Sequence, residues 1–409
     1  MLMLSTLVTA HPSGFRPGWN KLATTPPLGW RSWNCFGNTV SQDDMQSIID
    51  VMVAKNWTVS GVAGVSLLDV GYSTVGVDEG WEGCGQGVNG TQHDSQGNPV
   101  VNAKFPDMAG LVRSGQSRGL KVGWYENGCA CGERQELAIN YEGDVRKLDE
   151  LGFDGVKLDG CGAQRNMTLY AELMQATGKA YLIENCHWGK CSSGDDSSCP
   201  TADWCPFNWF RTSGDINSGV MSWLHNLQTT IPFQDPIAPL SQPGCWAYPD
   251  MLEVGRIKID GQLHVPWNRA HFGAWCIVSA PLILGLDLRQ SDVVAAILEV
   301  ITNAEAIAVN QAWAGHPGAL VWQALGGALG FPAARPCDLA NPSLHQQGWS
   351  LKPLADGQSA LLGPGGGCLE QRGGGDGRRS LERPLAKASV AGLLCPDSPR
   401  SASSLSQPS

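Results

Sequence analysis

The chain has 409 residues, 42% of them hydrophobic and 16% charged, with a formal net charge of −10 and a pI of about 5.3. That length suits one large domain plus a smaller one, and it buries a full core without cross-links. The acidic balance excludes a dedicated nucleic-acid binder, whose partner demands a basic face, and no stretch approaches the roughly 20 apolar residues of a membrane span.

Sixteen Trp stand against six Tyr. An indole offers a broad apolar face and a single donor, so it fills cores and also stacks on the C–H face of a sugar. The fourteen Cys show no C-x2-C…C-x2-C spacing and read as disulfide material in loops, which belongs to an oxidising compartment. Asn56, Asn89 and Asn166 head N-x-[ST] sequons. Met1–Ala10 is apolar and ends on a small residue but lacks a basic n-region; residues 1–24 therefore read as a flexible N-terminus or a partial signal peptide.

From residue 25 to 312 short apolar runs alternate with helix-period stretches. The runs are Leu28–Trp33, Ser73–Val77, Lys121–Tyr125, Gly155–Leu158, Tyr181–Ile183, Asn208–Phe210, Cys245–Tyr248 and Leu282–Leu286. Between the first two, Ser41 and Asp44 form a capping-box pattern ahead of Met45, Ile48, Ile49, Met52 and Val53, which fall on one helical face. Asp107 caps a helix carrying Met108, Leu111 and Val112, which Gly119 ends. Val145, Leu148 and Leu151 form a stripe closed by Gly152, and Leu169, Tyr170, Leu173 and Met174 one closed by Gly178. Eight strand–helix units of this length predict an α/β fold, a (β/α)8 TIM barrel. An open doubly wound sheet is the alternative, but no G-x-G-x-x-G follows the first strand. After Gln311 the pattern changes. Leu320–Leu325 and Ser350–Leu354 read as strands of a small partial antiparallel β domain over 313–362, and the Gly-, Ser- and Arg-rich remainder, 363–409, as a low-complexity, disordered tail.

In such a barrel chemistry sits just past the C-terminal end of each strand. Trp30 and Trp33 flank the first. Asp78, Glu79 and Trp81 follow the second, and Tyr125, Glu126 and Asn127 the third. Lys157 and Asp159 end the fourth, and Glu184 to Trp188 follow the fifth. Arg211 and Asp215 follow the sixth, Tyr248 and Asp250 the seventh, and Asp287 and Arg289 the eighth. Carboxylates with Trp and a few cations between them are the inventory of a glycosidase. A metal hydrolase would need clustered His ligands, often H-x-H. The eight His show no such pair, and His187 is the single His of this ring.

At these residues the chain resembles the α-galactosidase and α-N-acetylgalactosaminidase family of retaining glycoside hydrolases, the melibiases. The landmarks run from Pro26 to about Gln311 and include Pro27-Leu-Gly-Trp30, Val77-Asp-Glu-Gly-Trp81, Val156-Lys-Leu-Asp-Gly-Cys161, Arg211 with Asp215, Pro249-Asp-Met-Leu252 and Asp287-Leu-Arg289. The resemblance implies Asp159 as nucleophile and Asp215 as general acid/base. It implies Trp33, Asp78, Glu79, Tyr125, Lys157, His187, Trp188, Arg211 and Asp250 as substrate-binding residues. Three positions depart from the family pattern: Glu79 replaces the second Asp of an Asp-Asp pair, Tyr248 replaces an Asp, and His187 stands where α-galactosidases carry Glu and acetylgalactosaminidases Ser. The resemblance also implies disulfides joining Cys161 to Cys129 or Cys131, Cys186 to Cys205, and Cys35 to Cys84, and a C-terminal β domain that is truncated here. The function implied is release of terminal α-linked galactose; an α-N-acetylgalactosaminidase, a β-L-arabinopyranosidase and an inactive sugar-binding homologue are the competing readings. The expected partner is a carbohydrate with a terminal galactose-like sugar, with no nucleic acid, no membrane span, no cofactor and no metal, a homodimer as candidate assembly, and the secretory pathway as compartment.

Overall fold

The computed structural model describes residues 14–189 and 199–320, together with four short strands at 335–336, 350–353, 359–362 and 367–368. Residues 1–13, the expected strand at Leu320–Leu325 from residue 321 onward, and the tail from 363 apart from 367–368 lie outside the described residues.

Eight parallel strands form the centre: β1 Leu28–Arg31, β2 Thr74–Gly76, β3 Lys121–Gly128, β4 Gly155–Gly162, β5 Leu182–Cys186, β6 Trp209–Arg211, β7 Trp246–Tyr248 and β8 Leu282–Leu284. Their order across the sheet is β8-β1-β2-β3-β4-β5-β6-β7. The last strand thus returns to the free edge of the first, with Leu28 opposite Leu282. The other edge closes through Leu252, four residues past β7. Its N–H donates to Ile283 O (2.7 Å), and it pairs in parallel with Leu284. A closed ring leaves no unpaired edge, as a (β/α)8 barrel requires.

Helices fill the connections: α1 Gln42–Val53, α2 Met108–Ser117, α3 Ala138–Leu151, α4 Met167–Ala176, α5 Val220–Gln228, α6 Val265–Ile277, α7 Ser291–Ile301 and α8 Ala304–Gln311. The cap of α1 is the reciprocal box expected. Ser41 Oγ accepts from Asp44 N (3.2 Å), and Asp44 Oδ2 accepts from Ser41 N (3.1 Å). Behind it Met45, Ile48, Ile49 and Met52 are fully buried against the barrel wall. Gly152 closes α3 at φ 84°, a conformation that a Cβ would strain. Inside the ring, Leu182, Trp209, Trp246 and Ile283 pack together with Tyr248 and Met251 as a separate apolar plug. This plug is the floor on which the polar residues stand.

The strands differ from the sequence reading where polar residues continue a ladder. β3 and β4 run on through Glu126–Gly128 and Asp159–Gly162 because Gly128 still pairs with Gly162. β1 stops at Arg31 because Trp33 opens a helical turn, Trp33–Phe36. Two antiparallel hairpins, 57–59 with 62–65 and 258–259 with 262–263, were not read from the sequence. Their turns are Ser60-Gly61 and Asp260-Gly261, all at positive φ, the two-residue signature of a hairpin. Beyond the barrel, 350–353, 359–362, 367–368 and 335–336 pair as a four-stranded antiparallel sheet.

Ile48→Ala should lower stability by about 2–5 kcal/mol, because the α1 face has no room to collapse. A fall in the denaturation midpoint at unchanged m-value is the expected result.

Candidate active site

Alternation along each strand decides which residues face the barrel interior. On β3 Tyr125 faces in, on β4 Lys157 and Asp159, on β5 Glu184 and Cys186, on β6 Arg211 and on β7 Tyr248. The contacts that cross the ring fix this orientation. Tyr125 donates its hydroxyl to Asp159 Oδ2 (2.8 Å). Lys157 Nζ lies 5.1 Å from the Tyr125 ring centre and donates to Asp78 Oδ2 (2.8 Å). Arg31, from β1, reaches Glu184 Oε2 on β5 (2.9 Å).

Asp159 ends up half-buried between donors. Its Oδ2 accepts from the Tyr125 hydroxyl, and its Oδ1 accepts the Cys161 backbone N–H (3.2 Å). Burial pushes its carboxyl above the usual carboxylate range, opposed by the Lys157 ammonium and the Tyr125 hydrogen bond. Asp78 is 1% exposed. Burial pushes it up too, but Lys157 and Arg31 outweigh that and hold it below its ordinary value. Glu79 beside it is raised by burial, then by Asp78 and Asp159.

Asp215 is different: its side chain is 63% exposed and tied by a single cation, Arg211 Nη2 at 3.1 Å. Arg211 is itself buried. It also pairs with Asp250 Oδ2 (2.9 Å) and donates to Cys186 Sγ (3.3 Å). Asp250 sits at φ 84°, uncommon for a non-glycine residue. It is held there by accepting from Ile216 N (2.9 Å) and Met251 N (2.7 Å), while Trp275 Nε1 donates to its carbonyl (2.8 Å). Cys186 is the register partner of Asp159 across β4 and β5. The two key carboxylates therefore flank one thiol, Asp159 as its neighbour in the sheet and Asp215 through Arg211. An open cleft of about 660 Å³ runs along Asp215, walled by Asn217, Val220, Met221 and His225. Among the described residues no cluster of three or more His, Cys, Asp or Glu has the geometry to hold a metal ion.

A profile of the α-galactosidase A family, the melibiases, matches residues 25–312. The chain belongs to this family. It is 31% identical over 304 residues to an α-galactosidase of Cyamopsis tetragonoloba, covering 71% of this chain and 66% of that one. It is 30% identical to α-galactosidase A of Cellvibrio japonicus, with 88% and 80% covered. The chain thus spans about two thirds of the Cyamopsis relative's length. In fold it is similar to the crystal structure of α-galactosidase I from Mortierella vinacea, with a TM-score of 0.61 at 23% identity and 84% of this chain and 82% of that one covered.

Of the three positions that depart from the melibiase pattern, Glu79 lies beside Asp78 and Tyr248 faces into the barrel. His187 is buried against Gly160, where a Cβ would lie 3.1 Å from its ring, so the imidazole packs on the residue next to Asp159. Tyr248 is buried on the floor beside Arg31 and Glu184. Trp33 is partly exposed and Trp188, at φ 49°, is 36% exposed. Trp30, Trp81, Trp124, Trp223, Trp246 and Trp275 are by contrast fully buried core.

Several residues of the strand-end ring turn away. Asp287 pairs with Arg289, which also binds Asp44 at the α1 cap. Glu126, between the inward positions of β3, points to the outer side. There burial, then Asp144, Glu82 and Glu133, push its carboxyl well above the usual range. In the same region His93 bridges Glu133 Oε1 (2.6 Å) and Asp144 Oδ1 (2.8 Å). Sequence reasoning missed two inward residues. Glu184 appeared only as one of five residues after the fifth apolar run, and Arg31 was hidden inside the Leu-Gly-Trp-Arg run of β1.

The disulfides correct two expectations. Cys161 pairs with Cys129, one of the two partners expected. Cys84 pairs with Cys131, not Cys35, because the loops after β2 and β3 meet at the barrel mouth. The Cys35 thiol instead lies in the helical turn after β1 and donates to Ser32 O (3.5 Å). Cys205 pairs with Cys245, not Cys186. Cys205 and Cys245 precede the neighbouring strands β6 and β7, whereas Cys186 ends β5 and faces Arg211 as a free thiol.

Burial alone would push the His93 imidazole down, but its bonds to Asp144 and Glu133 carry its pKa up to about 9. That lies above the unfolded value of roughly 6.5, so the stabilisation is complete below that pH and is lost as pH rises through 9. Denaturation of wild type and His93→Gln across this range should show a stability gap that is widest on the acid side and narrows as the imidazole deprotonates.

Proposed function

We propose that this protein is a retaining exo-α-galactosidase that releases terminal α-linked galactose by double displacement. The observation that carries the reading is the asymmetry of its two carboxylates. Asp159 is half-buried, oriented by Tyr125 and the Cys161 N–H, and close to a buried ammonium. These are the needs of a nucleophile that attacks the anomeric carbon. Asp215 is exposed and anchored by one guanidinium, as suits a group that gives a proton to the leaving oxygen and then takes one from incoming water. The relatives named α-galactosidase support the substrate.

The galactosyl unit lies over Asp159, gripped by Asp78, Glu79, Lys157 and Asp250 and stacked on Trp33 or Trp188. In the first step the leaving oxygen receives the Asp215 proton as the Asp159–sugar bond forms. In the second, Asp215 takes a proton from water as water displaces Asp159, so the anomeric configuration is retained. The leaving group occupies the cleft along Asn217, Val220, Met221 and His225, since the acid must touch the bond being broken. Three disulfides among the described residues and exposed sequon asparagines at 56, 89 and 166 support a secretory-pathway protein.

The test is turnover of aryl α-galactoside, α-N-acetylgalactosaminide and β-L-arabinopyranoside by wild type, Asp159→Asn and Asp215→Ala. Wild type should prefer the α-galactoside, and Asp159→Asn should lose on the order of 10⁴-fold or more in kcat. Asp215→Ala should lose about 10²–10⁴-fold on an oligosaccharide and far less on an aryl substrate whose leaving group needs no proton. Turnover that survives Asp159→Asn would sink the assigned nucleophile.

Tyr125→Phe removes a bond that holds the Asp159 carboxyl down. Its pKa should rise further, and the acidic limb of the kcat/KM profile should move to higher pH. An unmoved limb would place another group in control of it.

A further inference from the structure

Arg31 and Glu184 are absent from the substrate-binding set above, yet they lie directly beneath it. We infer that Arg31, stapled to Glu184 across the barrel, is a positioning residue that fixes Asp78 for sugar binding. This deepens the galactosidase reading and rests on it.

Four observations carry the inference. First, the pair crosses the ring: Arg31 ends β1 and Glu184 lies on β5, strands that do not touch, and the Nη2–Oε2 distance is 2.9 Å. Both side chains are buried. A guanidinium is enclosed at such a depth only with its donors met, and Nη1 adds contacts to the carbonyls of Val77 (3.5 Å) and Trp124 (3.4 Å).

Second, room has been made for it. Gly76 on β2 has no side chain, and a Cβ there would stand 3.2 Å from the Arg31 guanidinium carbon. The guanidinium Nη1 and Nε would stand 3.3 and 3.5 Å from the same Cβ.

Third, Arg31 approaches the same carboxylate oxygen that Lys157 holds. Asp78 Oδ2 is 3.7 Å from Arg31 Nη1 and 2.8 Å from Lys157 Nζ, and Oδ1 accepts from Glu79 N (3.0 Å). The next residue, Ser32, takes the Asp78 backbone N–H on its Oγ (2.8 Å). The Arg31-Ser32 dipeptide therefore grips both the main chain and the side chain of Asp78.

Fourth, the charges alternate along a single line: Glu184, Arg31, Asp78, Lys157. Beyond Lys157 the line passes the Tyr125 ring to Asp159. Asp78 faces Arg31 from β1, Lys157 and Asp159 from β4, Tyr125 from β3, and Glu79 and Glu82 from its own loop. Arg31 and Lys157 are its attractive charges among these, so losing either leaves Asp78 mostly among acids.

The experiment measures kcat and KM for an aryl α-galactoside from pH 4 to 7, and galactose affinity by calorimetry. The variants are Arg31→Met, Arg31→Lys, Glu184→Gln and Arg31→Met with Glu184→Gln. Arg31→Met should raise KM and the galactose Kd about tenfold or more with a smaller change in kcat, and should move the acidic limb to higher pH as Asp78 loses a cation. Arg31→Lys should recover part of the loss, since it keeps the charge but not the fork. Glu184→Gln should raise KM alone but add nothing once Arg31 is Met. If Arg31→Met does not fold, Arg31→Met with Glu184→Met removes both buried charges at similar volume and is read in its place. A folded variant lacking Arg31 whose KM, galactose Kd and acidic limb match wild type overturns the proposal. So does a full Glu184→Gln effect in the Arg31→Met background. A wild type that binds galactose but cleaves none of the three aryl glycosides fails the galactosidase reading alone, and the galactose Kd series then decides the role of Arg31. A wild type that does neither overturns both.

Discussion

A charge inside a barrel must be paired before it can be buried, and the pocket of this protein is organised by that need. Arg31, Lys157 and Arg211 are all buried, far from water that could solvate them, so each is enclosed by carboxylates. Arg31 lies between Glu184 and Asp78, Lys157 on Asp78 with Asp159 nearby, and Arg211 between Asp250 and Asp215. The acids outnumber the cations, and the surplus falls at the mouth. Asp159, Asp215 and Glu79 are the acids less enclosed than the rest. The face proposed to react is thus the unfilled end of a lattice that is neutralised further down.

The apolar plug beneath this lattice explains its depth. Trp209 and Arg211 share the inward face of β6, and Trp246 and Tyr248 that of β7. β6 therefore supplies one apolar and one polar layer two residues apart, while both inward residues of β7 belong to the plug. A one-residue shift in register would carry the indoles outward and leave Arg211 among the helices, so the plug fixes the height at which the charges emerge. The strained backbone of Asp250 belongs to the same logic. Its carboxylate reaches back to Ile216 N while its carbonyl reaches Trp275, and these bonds hold the residue at its positive φ.

Much of this was legible in the sequence. The eight apolar runs marked the strands, and the capping pattern at Ser41 and Asp44 located α1, because those signals are local. Asp159 and Arg211 were legible because they close apolar runs inside specific motifs. Arg31 was not. It sits within a strand-like run where a charge looks like an interruption, and its partner on β5 is 153 positions away. The disulfides failed for a related reason. Cys84 lies beyond β2 and Cys131 beyond β3, and spacing along the chain does not say which loops meet at a barrel mouth. The turns Ser60-Gly61 and Asp260-Gly261 are local signals, but the strands they join are only two to four residues long and carry too little apolar alternation to stand out.

The Cys84–Cys131 and Cys129–Cys161 bridges have a mechanical consequence. They join the loop after β2, the loop after β3 and the end of β4 in series. Cys161 also donates its N–H to Asp159, two residues before it. Three adjacent rim segments, one bearing Asp78 and Glu79 and another Asp159, are covalently one piece. Two bridges in series constrain these segments to move together, which limits changes in the spacing between Asp78 and Asp159.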